Sequence, residues 1–192
     1  MNIALLGPQG SGKGTQAEML VRDMGMTKFE TGKFFRESKD PEIRSLIDQG
    51  KLVPDETTNK IILDFINEND NGNLLFDGSP RTISQYEVMK KHLQLVIFLK
   101  ISEKETVRRL SARRQCAVCG QIYNLITAPA RCDHNQPVQR EDDKPEAIKK
   151  RLELFRAQTE PVIEMARQDG LLLEIDGERP IEVIAKDIKE RL

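Results

Sequence analysis

The chain has 192 residues, 38% hydrophobic and 32% charged, with 30 Lys+Arg against 31 Asp+Glu for a formal net charge of −1. These values suit one folded domain with at most an inserted subdomain, and they exclude a disordered or collagen-like chain. The longest uncharged apolar stretch, Leu93 to Leu99, is strand-sized where a membrane span needs about 20 apolar residues, and no signal peptide precedes the first apolar run, so a cytoplasmic protein with no membrane partner is expected.

The small net charge hides an asymmetry. Lys100 to Arg156 carries thirteen Lys+Arg against eight Asp+Glu, and the remainder is acidic. A local positive field suits a nucleotide-sized polyanion. With nine aromatics and no basic tail, nucleic acid is not the expected partner.

In chain order, Asn2 to Leu6 reads as a buried strand, followed by a glycine-rich turn and a helix over about Lys13 to Met24 that Gly25 closes. Helical patterns follow over about 32–38, 41–48 and 56–68. Asn73 to Asp77 is the next strand and Ser84 to His92 the next helix. Leu95 to Lys100 is a third strand, a helix starts near Glu103, and Leu171 to Asp176 is a fourth strand. Strands alternating with helices predict an α/β fold of three layers, a parallel sheet flanked by helices on both faces.

Between Arg114 and Asp143 helical periodicity vanishes, short runs such as Gln121 to Leu125 suggest hairpin strands, and all three cysteines appear. This stretch predicts a small inserted lid. Asp143 reads as the N-cap of a following helix, with Pro145 in its first turn and Ile148, Leu152 and Phe155 on its apolar face; Pro161 is expected to kink or end it.

Gly7-Pro8-Gln9-Gly10-Ser11-Gly12-Lys13 lies between the first strand and its helix. Glycines let backbone N–H groups converge on an anion, the helix N-terminus adds partial positive charge, and Lys13 reaches terminal phosphates. The usual hydroxyl directly after the lysine is displaced, because Gly14 intervenes before Thr15. Three cysteines are an odd number for a disulfide framework, and their clustering favours metal ligation.

The run Gly7 to Gln16 resembles the phosphate loop of the nucleoside monophosphate kinases, and of the adenylate kinases in particular. Six motifs in family order carry the resemblance over essentially the whole chain. It implies a phosphotransferase passing the γ-phosphoryl reversibly from MgATP to AMP to give two ADP, by direct in-line transfer under a closing lid. The implied division is a core of residues 1–113 and 144–192, including an AMP-binding segment at 30–59, and a lid at 114–143.

On this resemblance Gly10, Ser11, Gly12, Lys13, Gly14 and Thr15 bind ATP. Thr31-Gly32 with Arg36 resembles the monophosphate-binding segment, Lys51 and Val53 line the acceptor base, and Gly78 with Arg81 belongs to the acceptor turn. Gln85 reads adenine, since an amide that donates and accepts matches N1 and N6. Three departures stand out: Glu30 and Lys33 replace Ser and Asp, and Ser79 replaces a large aromatic. Lys33 thereby reverses a charge close to the acceptor.

Arg109 and Arg113, four apart on a helix, resemble the first arginine motif, and Arg140 and Arg151 the later ones. The resemblance implies catalytic roles for Lys13, Arg81, Arg113, Arg140 and Arg151. It places Arg109, Arg113, Tyr123 and Arg179 at the donor, with Gly177 close to the donor adenine, and Arg140 and Arg151 also at the acceptor. Asp142 and Asp143, at the lid exit, are expected to pair with the arginines when the lid is closed. Phosphoryl transfer is catalysed largely by positioning and charge stabilisation, which gives such a cluster its purpose. Asp77 is implied to hold Mg²⁺ through water.

Cys116-Ala-Val-Cys119 followed by Cys132-Asp133-His134-Asn135 resembles the lid of metal-binding adenylate kinases. Structural zinc takes four tetrahedral N/S ligands. Cys116, Cys119, Cys132 and His134 are the favoured set, with Asp133 and Asn135 as alternatives for the fourth place. A monomer acting on ATP, AMP and ADP is expected. The rivals are a related kinase with a UMP, CMP or GMP acceptor, and a non-catalytic sensor of nucleotide or zinc.

Overall fold

The structure, a computed structural model, describes residues 1–49, 51–69, 72–127, 129–134 and 136–192. Its strands are β1 (Ile3–Leu6), β2 (Thr27–Glu30), β3 (Leu74–Asp77), β4 (Leu95–Lys100), β5 (Arg113–Gln115), β6 (Ile122–Asn124) and β7 (Leu172–Asp176). Five of them form a parallel sheet in the order β2-β3-β1-β4-β7, and β5 and β6 form a separate antiparallel hairpin.

The helices are α1 (Lys13–Met24), α2 (Thr31–Arg36), α3 (Pro41–Asp48), α4 (Asp55–Glu68), α5 (Ile83–Met89), α6 (Glu103–Ser111), α7 (Pro145–Leu154), α8 (Glu160–Gln168) and α9 (Ile181–Lys189). All four residues of β1 are buried because side chains alternate between two covered faces. Ala4, Leu6, Phe76 and Val96 pack with Ile62, Tyr86, Met89 and Val162 from α4, α5 and α8. On the opposite face Ile3, Leu5, Leu75 and Ile97 pack with Ala17, Leu20, Ile184 and Ile188 from α1 and α9. The expected three-layer architecture is therefore present. No helix among the described residues is long and apolar enough to cross a membrane.

Several local expectations are corrected. Arg113 does not share a helix with Arg109: α6 ends at Ser111, and Arg113 opens β5. Strand β2 adds to the predicted elements; it is an edge strand in which only Phe29 is buried, so its sequence lacks a period-two signal. Helix α9 adds a further element, with Ile184, Ala185 and Ile188 as its buried face. Asp143 does not cap α7. It closes a 3₁₀ turn over Glu141–Asp143, and Lys144 takes the capping position, leaving the Asp143 carboxylate to pair with an arginine. Pro161 does not end the chain's helical course. A wide π-turn over Phe155–Thr159 joins α7 to α8, and Glu160 N–H donates to the Phe155 carbonyl five residues back. The proline withholds its own N–H one residue later, and the widened turn accommodates that gap in the ladder.

The fold also says where a ligand belongs. Strand β1 has β3 on one side and β4 on the other, so its carboxyl end opens onto a crevice at the point where strand order reverses. The phosphate loop leaves β1 there, and Asp77 ends β3 beside it.

Candidate active site

Gly7 starts the loop with φ 152°, and a Cβ there would lie 2.6 Å from the Leu99 carbonyl oxygen and 2.7 Å from Ser11 Oγ. Only glycine lets the loop cross the end of β4 so closely. Gly12, at φ 93°, is the residue preceding α1, a left-handed position that side chains resist. Ser11 is buried, whereas Gly14 and Thr15 in the first turn of α1 are exposed. Lys13 folds back over the loop, its ammonium donating to the Gly7 and Pro8 carbonyls at 2.7 and 3.0 Å.

Burial pushes the Lys13 ammonium down to about 8 from its ordinary 10.5; Asp77 opposes this, and Arg81, Arg151 and Arg113 add to it. The same groups that depress its pKa are the other cations expected in the site. Arg109 lies at the loop too, donating to the Gly10 carbonyl at 3.3 Å and to Glu105 at 2.6 Å. A Cβ on Gly177 would lie 3.4 Å from the Ser11 carbonyl oxygen, so the segment after β7 presses on the phosphate loop. Arg179, two residues on, pairs with Asp187 of α9.

The acceptor turn leaves β3 at Asp77, a buried carboxylate raised above its usual pKa by burial and by Glu30, against the pull of Lys13. Arg81 is held at three atoms. Its Nε donates to Gly78 O at 2.7 Å, its backbone N–H to Gln85 Oε1 at 2.8 Å, and its carbonyl accepts from Thr159 Oγ1 at 3.1 Å. Gln85 is buried, not a surface amide, and its Nε2 donates to Asp55 at 2.8 Å. Asp55 also accepts from the Thr82 hydroxyl at 2.8 Å, so one carboxylate braces both ends of the first turn of α5.

Thr31 is buried and its hydroxyl is hydrogen-bonded to that of Ser79, itself fully buried. Gly32 leaves room for the Arg36 guanidinium, whose Nη1 would approach a Cβ to 3.0 Å. Arg36 pairs with Glu30 at 3.3 Å. The Lys33 side chain is 63% exposed and points to Glu37 at 4.0 Å. Val53 is buried and Lys51 exposed.

Three further arginines converge through the two aspartates after residue 141. Asp143, its side chain wholly buried, receives Arg113 Nε and Nη2 at 2.7 and 2.6 Å. Asp142 receives Arg140 at 2.8 and 2.7 Å and Arg151 at 2.8 Å. Burial pushes the Arg151 guanidinium down to about 10 despite Asp142, and Arg113 and Arg140 contribute. Arg36 is lowered by burial and by Arg140 across the crevice. Six cations, Lys13, Arg36, Arg81, Arg113, Arg140 and Arg151, therefore share one electrostatic environment at the carboxyl end of β1 and β3. Sequence reading gave Asp55 no role of its own within the acceptor segment Lys51 to Glu56, where it follows Pro54 at a helix start, and it missed Thr159, which carries no signal.

In the hairpin segment Cys116, Cys119, Cys132 and His134 bring their ligand atoms within 4.8 Å of one another. Cys119 and Cys132 sulfurs lie 3.7 Å apart, and Cys132 Sγ is 3.3 Å from His134 Nδ1. A tetrahedral site with Zn–S of about 2.3 Å separates its ligand atoms by about 3.8 Å, so the donor set fits such an ion in spacing and chemistry. Asp133 is not part of this cluster, and Asn135 lies outside the described residues. Tyr123 stands beside the cluster: burial and hydrogen bonding to Cys132 push its phenol up to about 12. Its hydroxyl thus faces the thiols.

Comparison with known proteins agrees with this geometry. The sequence matches the adenylate kinase family model over residues 5–171. The adenylate kinase of Thermosipho africanus is 38% identical, with 98% of this chain and 97% of that protein covered. That of Caldanaerobacter subterraneus subsp. tengcongensis is 36% identical over 100% and 96% of the two chains. The Archaeoglobus fulgidus enzyme is 35% identical over 98% and 96%. Because the likeness runs the length of the chain and is not confined to a phosphate loop that many folds share, the chain belongs to the adenylate kinase family.

Proposed function

We propose that the cationic crevice carries out the family's reaction, ATP and AMP giving two ADP, by direct in-line transfer between nucleotides held end to end. The observation that supports this reading above all others is the convergence of Lys13 and five arginines from both sides of β1. Binding without transfer would not call for positive charge around every side of the phosphoryl group.

In this reading the loop from Gly10 to Thr15 and Lys13 hold the donor phosphates, with Arg109 and the segment 177–179 near the donor base. Arg36 and Arg81 hold the acceptor phosphate, and Thr31, Lys51, Val53, Gly78 and Gln85 surround the acceptor. The Gln85 amide already uses one acceptor and one donor position within the protein, and it retains one of each for adenine. Arg113, Arg140 and Arg151 stabilise the transferring group and exchange carboxylate for phosphate oxygens. The acceptor phosphate is itself the nucleophile, so no covalent side chain is required.

Asp77, a buried hard-oxygen ligand beside the loop, is the residue that would hold Mg²⁺ through water. That ion, bound with ATP, offsets phosphate charge. Residues 114–143 form a lid that excludes water as a competing acceptor, residues 30–59 an acceptor segment, and 1–113 with 144–192 the core. Zinc held by Cys116, Cys119, Cys132 and His134 would brace the lid without a catalytic part, because four protein ligands leave no open position. The protein acts as a cytoplasmic monomer.

The test is a coupled assay of the purified chain with ATP and each of AMP, UMP, CMP and GMP. ADP formation with AMP as the preferred acceptor is expected, and Lys13→Ala should abolish turnover with the fold intact. A Lys13→Ala enzyme of near wild-type rate would sink the assignment of the loop, and absence of ADP that of the reaction.

A further inference from the structure

We infer that Thr159, in the π-turn between α7 and α8, is a positioning residue for the acceptor arginine Arg81, an inference that rests on the proposed role of Arg81. Thr159 lies outside every motif that the sequence displays. Its side chain is buried, and its hydroxyl donates to the Arg81 carbonyl at 3.1 Å across 78 residues of sequence.

The bond completes a clamp. Arg81 N–H is fixed by Gln85 Oε1 and its Nε by Gly78 O, while among the described residues its terminal amino groups have no hydrogen-bond partner. The peptide is thus tethered at both of its polar ends and the guanidinium is aimed, with its two outer nitrogens left for a ligand. Removing Thr159 Oγ1 frees the carbonyl end alone.

The π-turn explains why the hydroxyl is available for this contact. Mid-helix threonines commonly return their hydroxyl to a backbone carbonyl one turn earlier. Here the wide turn, with Glu160 N–H reaching Phe155 O and Pro161 supplying no N–H, interrupts that geometry, and the Thr159 hydroxyl turns to the acceptor loop instead. Arg151 stands on α7 ahead of the same turn and pairs with Asp142 at 2.8 Å. One continuous helical course therefore carries an arginine of the crevice and the anchor of another.

The experiment compares Thr159→Val, Thr159→Ala and Thr159→Ser with the parent chain in steady-state kinetics, each first checked for a cooperative melt. Loss of a net hydrogen bond on this scale corresponds to about 3- to 10-fold in KM for AMP. KM for ATP should stay within about 2-fold, and Thr159→Ser should return KM for AMP to within about 2-fold of the parent. If the valine variant lacks a cooperative melt, the alanine and serine pair makes the same comparison. Unchanged KM for AMP in the variants without a hydroxyl, or equal rises in both KM values, would overturn the inference. Arg81→Ala in the same assay separates the two levels: unchanged KM for AMP there defeats the role given to Arg81, whereas a large rise there with silent Thr159 variants defeats the positioning role alone.

Discussion

Lys13 carries an ammonium that burial holds near pH 8, inside the range where enzymes are assayed. Phosphate is bound by the protonated form, so kcat/KM for ATP should fall as pH rises through about 8, approaching tenfold per unit. The profile of kcat should be flatter, because bound polyphosphate favours the ammonium and raises its pKa. Stability should move the other way. Between about 8 and the ordinary 10.5 the unfolded chain binds the extra proton, so unfolding free energy rises with pH across that window. A kcat/KM profile flat to about pH 9.5, measured with buffers of matched ionic strength, would contradict the placement of Lys13. Asp143 offers a test of a different kind. Its wholly buried carboxylate is bidentate to Arg113, and Asp143→Ala leaves that guanidinium buried without its partner. A loss of about 3 kcal/mol is expected in urea unfolding, with much of it regained on adding Arg113→Met.

At the scale of elements, the sequence was most readable where burial enforces a period. Strands β1, β3 and β4 are each buried on both faces and appear as unbroken apolar runs, so they could be placed to within a residue. Strand β2 could not: as an edge strand it buries Phe29 and little else. The motifs located the cations because charge at fixed spacing is visible in one dimension. The partners that hold the site's side chains, Asp55 for Gln85 and Thr159 for Arg81, join the site only through folding: Asp55 shows in sequence only as a helix start after Pro54, and Thr159 shows no pattern. The hairpin β5–β6 is a case where reading and structure meet. Its strands are three residues long, and Val118, Ile122 and Leu125 nearby are exposed, so it has no core of its own. A cross-link through Cys116, Cys119, Cys132 and His134 would substitute for that core. Elemental analysis of protein purified without added metal should give close to one zinc per chain. Stripping it with a chelator should lower the melting temperature and expose the hairpin to protease before the sheet. Zinc well below one per chain in folded, active protein would remove the metal from the account.

Taken whole, the molecule is nearly neutral, yet its charge is sorted. The stretch from Lys100 to Arg156 has a surplus of basic residues while the remainder is acidic, and the fold gathers arginines from that stretch with Lys13, Arg36 and Arg81 around one crevice. Such a crevice attracts polyanions over distances comparable to the Debye length, about 10 Å at 0.1 M salt and about 3 Å at 1 M. Surface ion pairs elsewhere, such as Arg22 with Asp23 or Lys186 with Glu190, are exposed and contribute little to stability. Added salt should therefore weaken substrate capture well before it affects folding. The expected result is a fall in kcat/KM for both substrates between about 0.05 and 0.5 M KCl, steeper for ATP, the more highly charged of the two, with the melting temperature nearly constant. Exchanging Arg36 for Gln should flatten the salt dependence for AMP more than for ATP, because the charge removed lies on the acceptor side. Salt slopes that are equal for the two nucleotides and indifferent to Arg36 would mean that the crevice acts as a general anion trap, and that the division into donor and acceptor sides is wrong.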